Sequence, residues 1–144
     1  MSKHLATVPM TIIPLVLYLV VAGIFGGVSE GHPEVWGRIA FSVTLLSGGV
    51  FTMANEHLIL IVGLICLFFE IWKSTRQTSQ EMVDQVFSML VFIAYLVLFI
   101  TVSRCSMAVF FLLMLISLID VIAGFLVSLR TARRSLAVEN NLGA

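Results

Sequence analysis

The chain has 144 residues, of which 60% are hydrophobic and only 11% are charged. Soluble domains are about half apolar and about a quarter charged. A water-soluble fold of this length could not bury so much apolar surface, so we expect one integral membrane domain over residues 1–144. The net charge is zero, which gives no field to attract nucleic acid. No phosphate-binding loop, dinucleotide-binding glycine pattern or HExxH motif occurs, so we expect no cofactor.

Four apolar stretches are predicted to be membrane helices, and the first covers residues 8–28. About 20 helical residues cross a hydrocarbon core of about 30 Å, so this stretch is long enough to span. It is too long for the core of a secretory signal and has no clear A-x-A cleavage site, so we expect a retained helix. Gly23 and Gly27 have the GxxxG spacing that allows close helix packing, within the chain or between copies.

The segment over residues 39–53 has a different pattern. Apolar residues alternate with small or polar ones from Ile39 to Leu45, and Gly48 and Gly49 follow. Alternation beside a Gly-Gly turn predicts a β-hairpin. Open lipid would leave its strand edges unsatisfied, so we place it at the outer membrane surface, on the helix ends. The alternative is a short membrane helix over the same residues, which the glycine pair and the β-branched residues disfavour.

The other predicted spans cover residues 56–73, 85–103 and 107–129. The apolar core of the second, Leu58–Trp72, would be only about 23 Å long as a helix. It therefore either lies in a thinned bilayer or begins earlier. An earlier start would bring the polar residues Asn55–His57 into the membrane.

These elements predict an all-α membrane protein, a four-transmembrane-helix bundle with an extracytoplasmic β-hairpin between helices 1 and 2. Four spans would place six basic residues on one side and two on the other. The six are Lys3, Lys73, Arg76, Arg130, Arg133 and Arg134, and the two are Arg38 and Arg104. Positive charge favours the cytoplasmic side, so we expect both termini in the cytoplasm.

Ionisable residues within spans are costly and often functional. Asp120 is predicted near the bilayer midplane, on a stripe of small and polar residues that includes Gly124 and should face other helices. Tyr18 and Tyr95 are predicted at similar depths, which gives an intramembrane polar cluster of Tyr18, Tyr95 and Asp120. In one interpretation the tyrosine hydroxyls satisfy Asp120 and lock the bundle. In the other, Asp120 binds a proton or cation on a pathway.

A second ionisable pair is predicted at the cytoplasmic end of the second span. Glu70 and Lys73 are three residues apart, so a helix brings their side chains together. We interpret them as an interfacial ion pair.

Two histidines, His32 and His57, are predicted on the outer side, near several glutamates. Their spacing matches no metal-binding signature. We therefore interpret this region as a solvated acidic loop and expect no metal site.

Four stretches of the sequence resemble small four-span inner-membrane proteins of proteobacteria. They are Glu70–Arg76, Ser88–Phe92, Ile119–Phe125 and Thr131–Arg134. The resemblance covers roughly the last two-thirds of the chain and implies a cell inner-membrane location, with the outer loop in the periplasm. That family has no assigned activity, so no function is transferred.

Three functional hypotheses follow. The first is a non-enzymatic accessory or scaffold subunit that packs in a membrane complex or homo-oligomer, with lipid and other subunits or copies as partners. The second is a small oligomeric ion channel, or a proton- or cation-coupled transporter, that uses Asp120. An enzyme ranks last, because no residues assemble a nucleophile, a base and an oxyanion site.

Overall fold

The computed structural model describes residues 8–24, 34–75 and 81–143. Over these residues the fold is mostly helical, with four α-helices and one two-stranded antiparallel sheet. A single 3-10 turn, Ser103–Cys105, joins the last two helices. The elements in chain order are α1 (Ile12–Ile24), β1 (Ile39–Thr44), β2 (Val50–Ala54), α2 (Asn55–Ser74), α3 (Glu81–Thr101) and α4 (Ala108–Leu142).

Three of the four helices are long and apolar enough to cross a membrane. The qualifying segments are Asn55–Ser74, Val83–Thr101 and Ala108–Val138. The helix α1 has 13 residues and is about 20 Å long at 1.5 Å per residue. Residues 25–28 of the predicted first span lie outside the described residues.

The last helix continues beyond Leu129, where the sequence pattern placed the end of the fourth span, and reaches Leu142. The apolar pattern stops near Leu129 because charged residues follow, including Arg130 and Arg133. Arginine, alanine and leucine are strong helix formers, so the helix extends beyond its apolar segment.

The predicted hairpin is confirmed, and the alternative of a short membrane helix over the same residues is wrong. In the antiparallel pair, Val43 lies opposite Phe51. The turn closes through a 2.9 Å hydrogen bond from the Gly48 amide to the Leu45 carbonyl, and Gly48 has a φ of +82°. Three-residue hairpin loops place a residue in this left-handed conformation, which glycine adopts without steric cost.

The second helix begins directly after β2, with Asn55–His57 as its first turn. The first amides of a helix lack intrahelical partners, and here the chain before the hairpin supplies them. The Asn55 amide donates to the Arg38 carbonyl at 3.0 Å, and the Glu56 amide donates to the Trp36 carbonyl at 3.1 Å. The α2 helix therefore has 20 residues, enough to cross a bilayer.

The fourth helix is central, since it packs against α1, α2 and α3. It is antiparallel to α3, because Gln85 reaches Val121 at one end and Phe99 contacts Phe111 at the other. It is parallel to α2 and antiparallel to α1. We call the end where α2 finishes and α3 begins the Lys73 end, and the end with β1 and β2 the hairpin end.

Aromatic rings form the core towards the hairpin end. Tyr18, Tyr95 and Phe110 are fully buried. Tyr18 stacks on Trp36 with ring centroids 4.7 Å apart, and it meets Phe110 edge to face at 4.8 Å. These contacts fix α1 against α4 and against the segment that precedes the hairpin.

Candidate functional site

Polar side chains from three helices and from the segment before α1 meet near the Lys73 end. We call this group the Lys73 cluster: Thr11, Glu70, Lys73, Asp84, Ser88 and Asp120. Four of them, Glu70, Asp84, Ser88 and Asp120, line a small cavity of about 20 Å³. A polar cavity of this size holds about one water molecule.

Glu70 ties the start of the first helix to α2. Its side chain is almost completely buried, and its Oε2 accepts a 2.9 Å hydrogen bond from the Met10 amide, two residues before α1 begins. Its Oε1 lies 3.5 Å from Lys73 Nζ. A carboxylate beside a helix N-terminus is favourable, since the free amides and the helix dipole are positive there.

Lys73 lies between two carboxylates from different helices. Its Nζ is 3.5 Å from Glu70 Oε1 and 3.6 Å from Asp84 Oδ2, and its side chain is 17% exposed. The sequence spacing indicated the contact with Glu70 but not the one with Asp84. Lys73 thereby joins the end of α2 to the beginning of α3.

Asp120 is 4% exposed, and its hydrogen-bond donors are hydroxyls. Its Oδ2 accepts from Thr11 Oγ1 at 3.2 Å, and Ser88 lies within hydrogen-bonding reach of the same carboxyl group. The Tyr95 hydroxyl donates to the Thr11 carbonyl at 3.1 Å. Thr11 therefore joins Tyr95 and Asp120 into one network.

Tyr18 lies outside that network. Its hydroxyl donates to the Arg104 carbonyl at 2.8 Å, at the hairpin end. A hydroxyl has one proton to donate, so neither Tyr18 nor Tyr95 donates to Asp120. Tyr18 is seven residues after Thr11, which is about 10 Å further along the helix.

The first helix has charges of favourable sign at both of its ends. Glu70 lies at its beginning, and Arg104 Nη1 reaches the Ala22 carbonyl, near its end, at 3.5 Å. Anions near the N-terminus and cations near the C-terminus stabilise a helix. This arrangement holds a short helix in place among longer ones.

The predicted packing glycines have different surroundings. A Cβ on Gly124 would overlap the Gln85 side chain, whose Nε2 donates to the Val121 carbonyl at 2.8 Å. A Cβ on Gly23 would meet no atom of the described residues within 4 Å, and Gly27 lies outside those residues.

A close contact between α2 and α4 lies at a glycine that sequence reasoning missed. A Cβ on Gly63 would lie 2.9 Å from Leu113 Cδ2 and 3.2 Å from Ile116 Cδ1. An isolated glycine inside an apolar run was the available signal, since such a residue often marks a close approach of two helices.

The Lys73 cluster combines three carboxyl groups, one ammonium and two hydroxyls. Cys105 is buried in the turn between α3 and α4, and burial raises the pKa of its thiol, which keeps it protonated. Within the described ranges, no group of three or more His, Cys, Asp or Glu side chains could hold a metal ion. No protein-family model, curated protein or solved structure matches the chain.

Proposed function

We propose that the chain is a four-span inner-membrane protein that acts as a non-enzymatic accessory or scaffold subunit. It would pack in a membrane complex or with copies of itself. The observation that carries this proposal is the exposed apolar face of the hairpin, which no described helix of the chain covers.

The apolar helix surfaces support the membrane location. Large apolar side chains along all four helices are exposed, including Val20, Leu64, Val86 and Phe125. Soluble proteins rarely expose apolar patches of this extent, whereas lipid solvates them. In this proposal α1, with flanking residues, is the fourth span.

The distribution of basic residues supports the orientation. Lys73 and three arginines of α4 lie towards the Lys73 end, and Arg38 and Arg104 lie towards the hairpin end. Basic residues favour the cytoplasmic side. Both termini would then be cytoplasmic, and the hairpin would face the periplasm.

The hairpin has one apolar and one mostly polar face. Phe41, Val43 and Phe51 share the first face, because Val43 pairs with Phe51 and Phe41 pairs with Met53. These three side chains, which we call the hairpin face, are 45%, 50% and 47% exposed. Within the part of the chain that the structure describes, both outer edges of this two-stranded sheet are also unpaired. An apolar face beside open strand edges is a typical protein-binding surface.

Co-purification from native membranes tests the proposal. The tagged chain, produced at low level and extracted in mild detergent, should carry a stoichiometric partner or form a defined homo-oligomer. Phe51→Ser, on the hairpin face, should remove that association. Phe125→Ser removes a comparably exposed ring on α4 and should leave it intact. A wild-type chain that elutes as a monomer without a partner would contradict the proposal.

A second candidate is a proton- or cation-coupled transporter or small channel, and the Lys73 cluster favours it. Three carboxyl groups, on Glu70, Asp84 and Asp120, line a cavity that fits a water molecule, and the first two pair with the Lys73 ammonium. Ionisable groups at this depth often mark proton or ion paths.

Flux measurements in vesicles test this second candidate. The purified chain, reconstituted with a trapped pH dye, should dissipate an imposed proton or sodium gradient. Asp120→Asn should abolish the flux, because the amide cannot release a proton, while helical content and elution volume stay unchanged. Wild-type vesicles that leak no faster than protein-free vesicles would reject the transporter.

A further inference from the structure

The last helix carries three arginines within five residues, directly after its long apolar segment. The apolar side chain of Leu129 is exposed, and Arg130, Arg133 and Arg134 follow it and are exposed as well. The α4 helix continues through all of these residues without a break. We call the three arginines the arginine face.

Helical geometry places the three arginine side chains on one side of α4. Residues three and four apart are neighbours on a helix surface, and Arg133 and Arg134 follow Arg130 by these two spacings. At 3.6 residues per turn, the three positions lie within an arc of about 100° around the helix axis. Three positive charges therefore point in similar directions from adjacent turns.

The charges of the arginine face are not neutralised within the part of the chain that the structure describes. No ion pair joins any of the three arginines to another described residue. The carboxylates of Glu70 and Asp84, at the same end of the bundle, pair with Lys73 instead. The arginine face thus has the charge that complements an anionic partner, whereas the Lys73 ammonium already has its counter-ions.

The position of the arginine face favours phospholipid as that partner over protein or nucleic acid. If the helices span a bilayer as proposed above, the hydrocarbon region ends near Leu129, and the headgroup layer beyond it is about 5–8 Å thick. Arg130 lies about 1.5 Å past Leu129 along the axis, and Arg134 lies about 7.5 Å past it. The arginine face therefore falls within the headgroup layer. Helical side chains also tilt towards the N-terminus, which for α4 is back towards the bilayer.

We infer that the arginine face binds the phosphate groups of anionic phospholipids in the leaflet at the Lys73 end. A guanidinium binds phosphate oxygens through two parallel, charge-assisted hydrogen bonds. A zwitterionic headgroup also carries a cation, which three arginines repel, so a headgroup with a net negative charge is preferred. This inference rests on the membrane location proposed above and is independent of the accessory role.

Native mass spectrometry of retained lipids tests the inference. The chain is reconstituted into nanodiscs that contain equal amounts of phosphatidylcholine and phosphatidylglycerol. It is then released in the spectrometer, and the ratio of the two lipids that stay bound is measured. Phosphatidylglycerol should be retained over phosphatidylcholine by about fivefold, the factor that corresponds to about 1 kcal/mol from a basic residue near an anionic membrane surface.

Variants locate the binding on the arginine face. Changing Arg130, Arg133 and Arg134 together to glutamine should remove the preference for phosphatidylglycerol. The single change Arg130→Gln should lower it, and its matched control Arg38→Gln, at an exposed position of the hairpin end, should leave it unchanged. Glutamine is a good helix former, so unchanged helical content and elution volume show that the fold is retained.

The outcomes separate this inference from the membrane location. A chain that does not incorporate into nanodiscs refutes the location itself. A chain that incorporates but retains both lipids equally, or keeps its preference in the triple variant, refutes the lipid site. Equal losses in Arg130→Gln and Arg38→Gln would show an effect of net charge and also refute it. An acidic protein that co-purifies with the wild type but not with the triple variant, without any lipid preference, would assign the arginine face to a protein instead.

Discussion

The two ends of the molecule differ in whether their side chains are satisfied by contacts within the fold. At the Lys73 end, charged and hydroxyl groups from four chain segments satisfy each other inside the fold. At the hairpin end, the hairpin face and an apolar groove lined by Leu17, Val21 and Val62 are left exposed among the described residues. The first end is closed by internal contacts, and the second depends on what surrounds it. Substitutions at the Lys73 end should therefore change stability, and those at the hairpin end should change association.

The largest stability effect is expected for Lys73→Met. Without the ammonium, the carboxylates of Glu70 and Asp84 lose their cation in a largely buried setting. Removing one partner of a buried ion pair costs about 3–5 kcal/mol. Because Lys73 is partly exposed, we expect the free energy of unfolding to fall by about 3 kcal/mol. Denaturant or thermal unfolding in detergent micelles measures it, with Lys73→Arg as the charge-retaining control.

The charge-retaining variant sharpens this prediction. Lys73→Arg keeps a cation beside Glu70 and Asp84, so its stability deficit should be clearly smaller than that of Lys73→Met. A small deficit in Lys73→Met, or equal deficits in the two variants, would show that the ion pairs of the Lys73 cluster do not hold this end together.

A smaller effect is expected at the close contact between α2 and α4 around Gly63. Gly63→Val should lower the free energy of unfolding by about 1–3 kcal/mol, because the new side chain overlaps Leu113 and Ile116 in a packed contact. Gly23→Val makes the same change where no atom of the described residues lies within 4 Å of the new Cβ, and its effect should stay within about 0.5 kcal/mol. Equal effects of the two substitutions, measured by the same unfolding transition, would contradict the packing described here.

The sequence pattern was sufficient to predict the elements that depend on residues close together in the chain. The hairpin follows from alternation between Ile39 and Leu45 and from the glycine that closes the turn. The pair of Glu70 and Lys73 follows from the helical spacing. The sequence left two alternatives for α2, a short span or an earlier start. The local pattern could not decide between them, because the first amides of α2 bond to Arg38 and Trp36, residues that precede the hairpin.

The candidate site depends on how far each helix is shifted along its neighbours, which no local sequence pattern determines. Tyr18 and Asp120 each lie near the middle of an apolar stretch, so the sequence pattern predicted that they share one depth and lie in contact. In the fold, Thr11 reaches Asp120 instead, and Tyr18 lies about two helical turns further on. The relative depth of two helices is set by packing between them, at contacts such as Gly63, and such contacts involve residues far apart in sequence.

The smallest stability effect is expected on the hairpin face. Phe51→Ser exposes no new cavity, because the ring is already half exposed, and the opposite face carries Ser42 and Thr52. Surface substitutions of this kind change the free energy of unfolding by about 0.5 kcal/mol or less. The same variant should nevertheless lose the partner or oligomer in the co-purification experiment. If Phe51→Ser destabilises the isolated chain as much as Gly63→Val does, the hairpin packs on this chain's own core and is not left open for a partner.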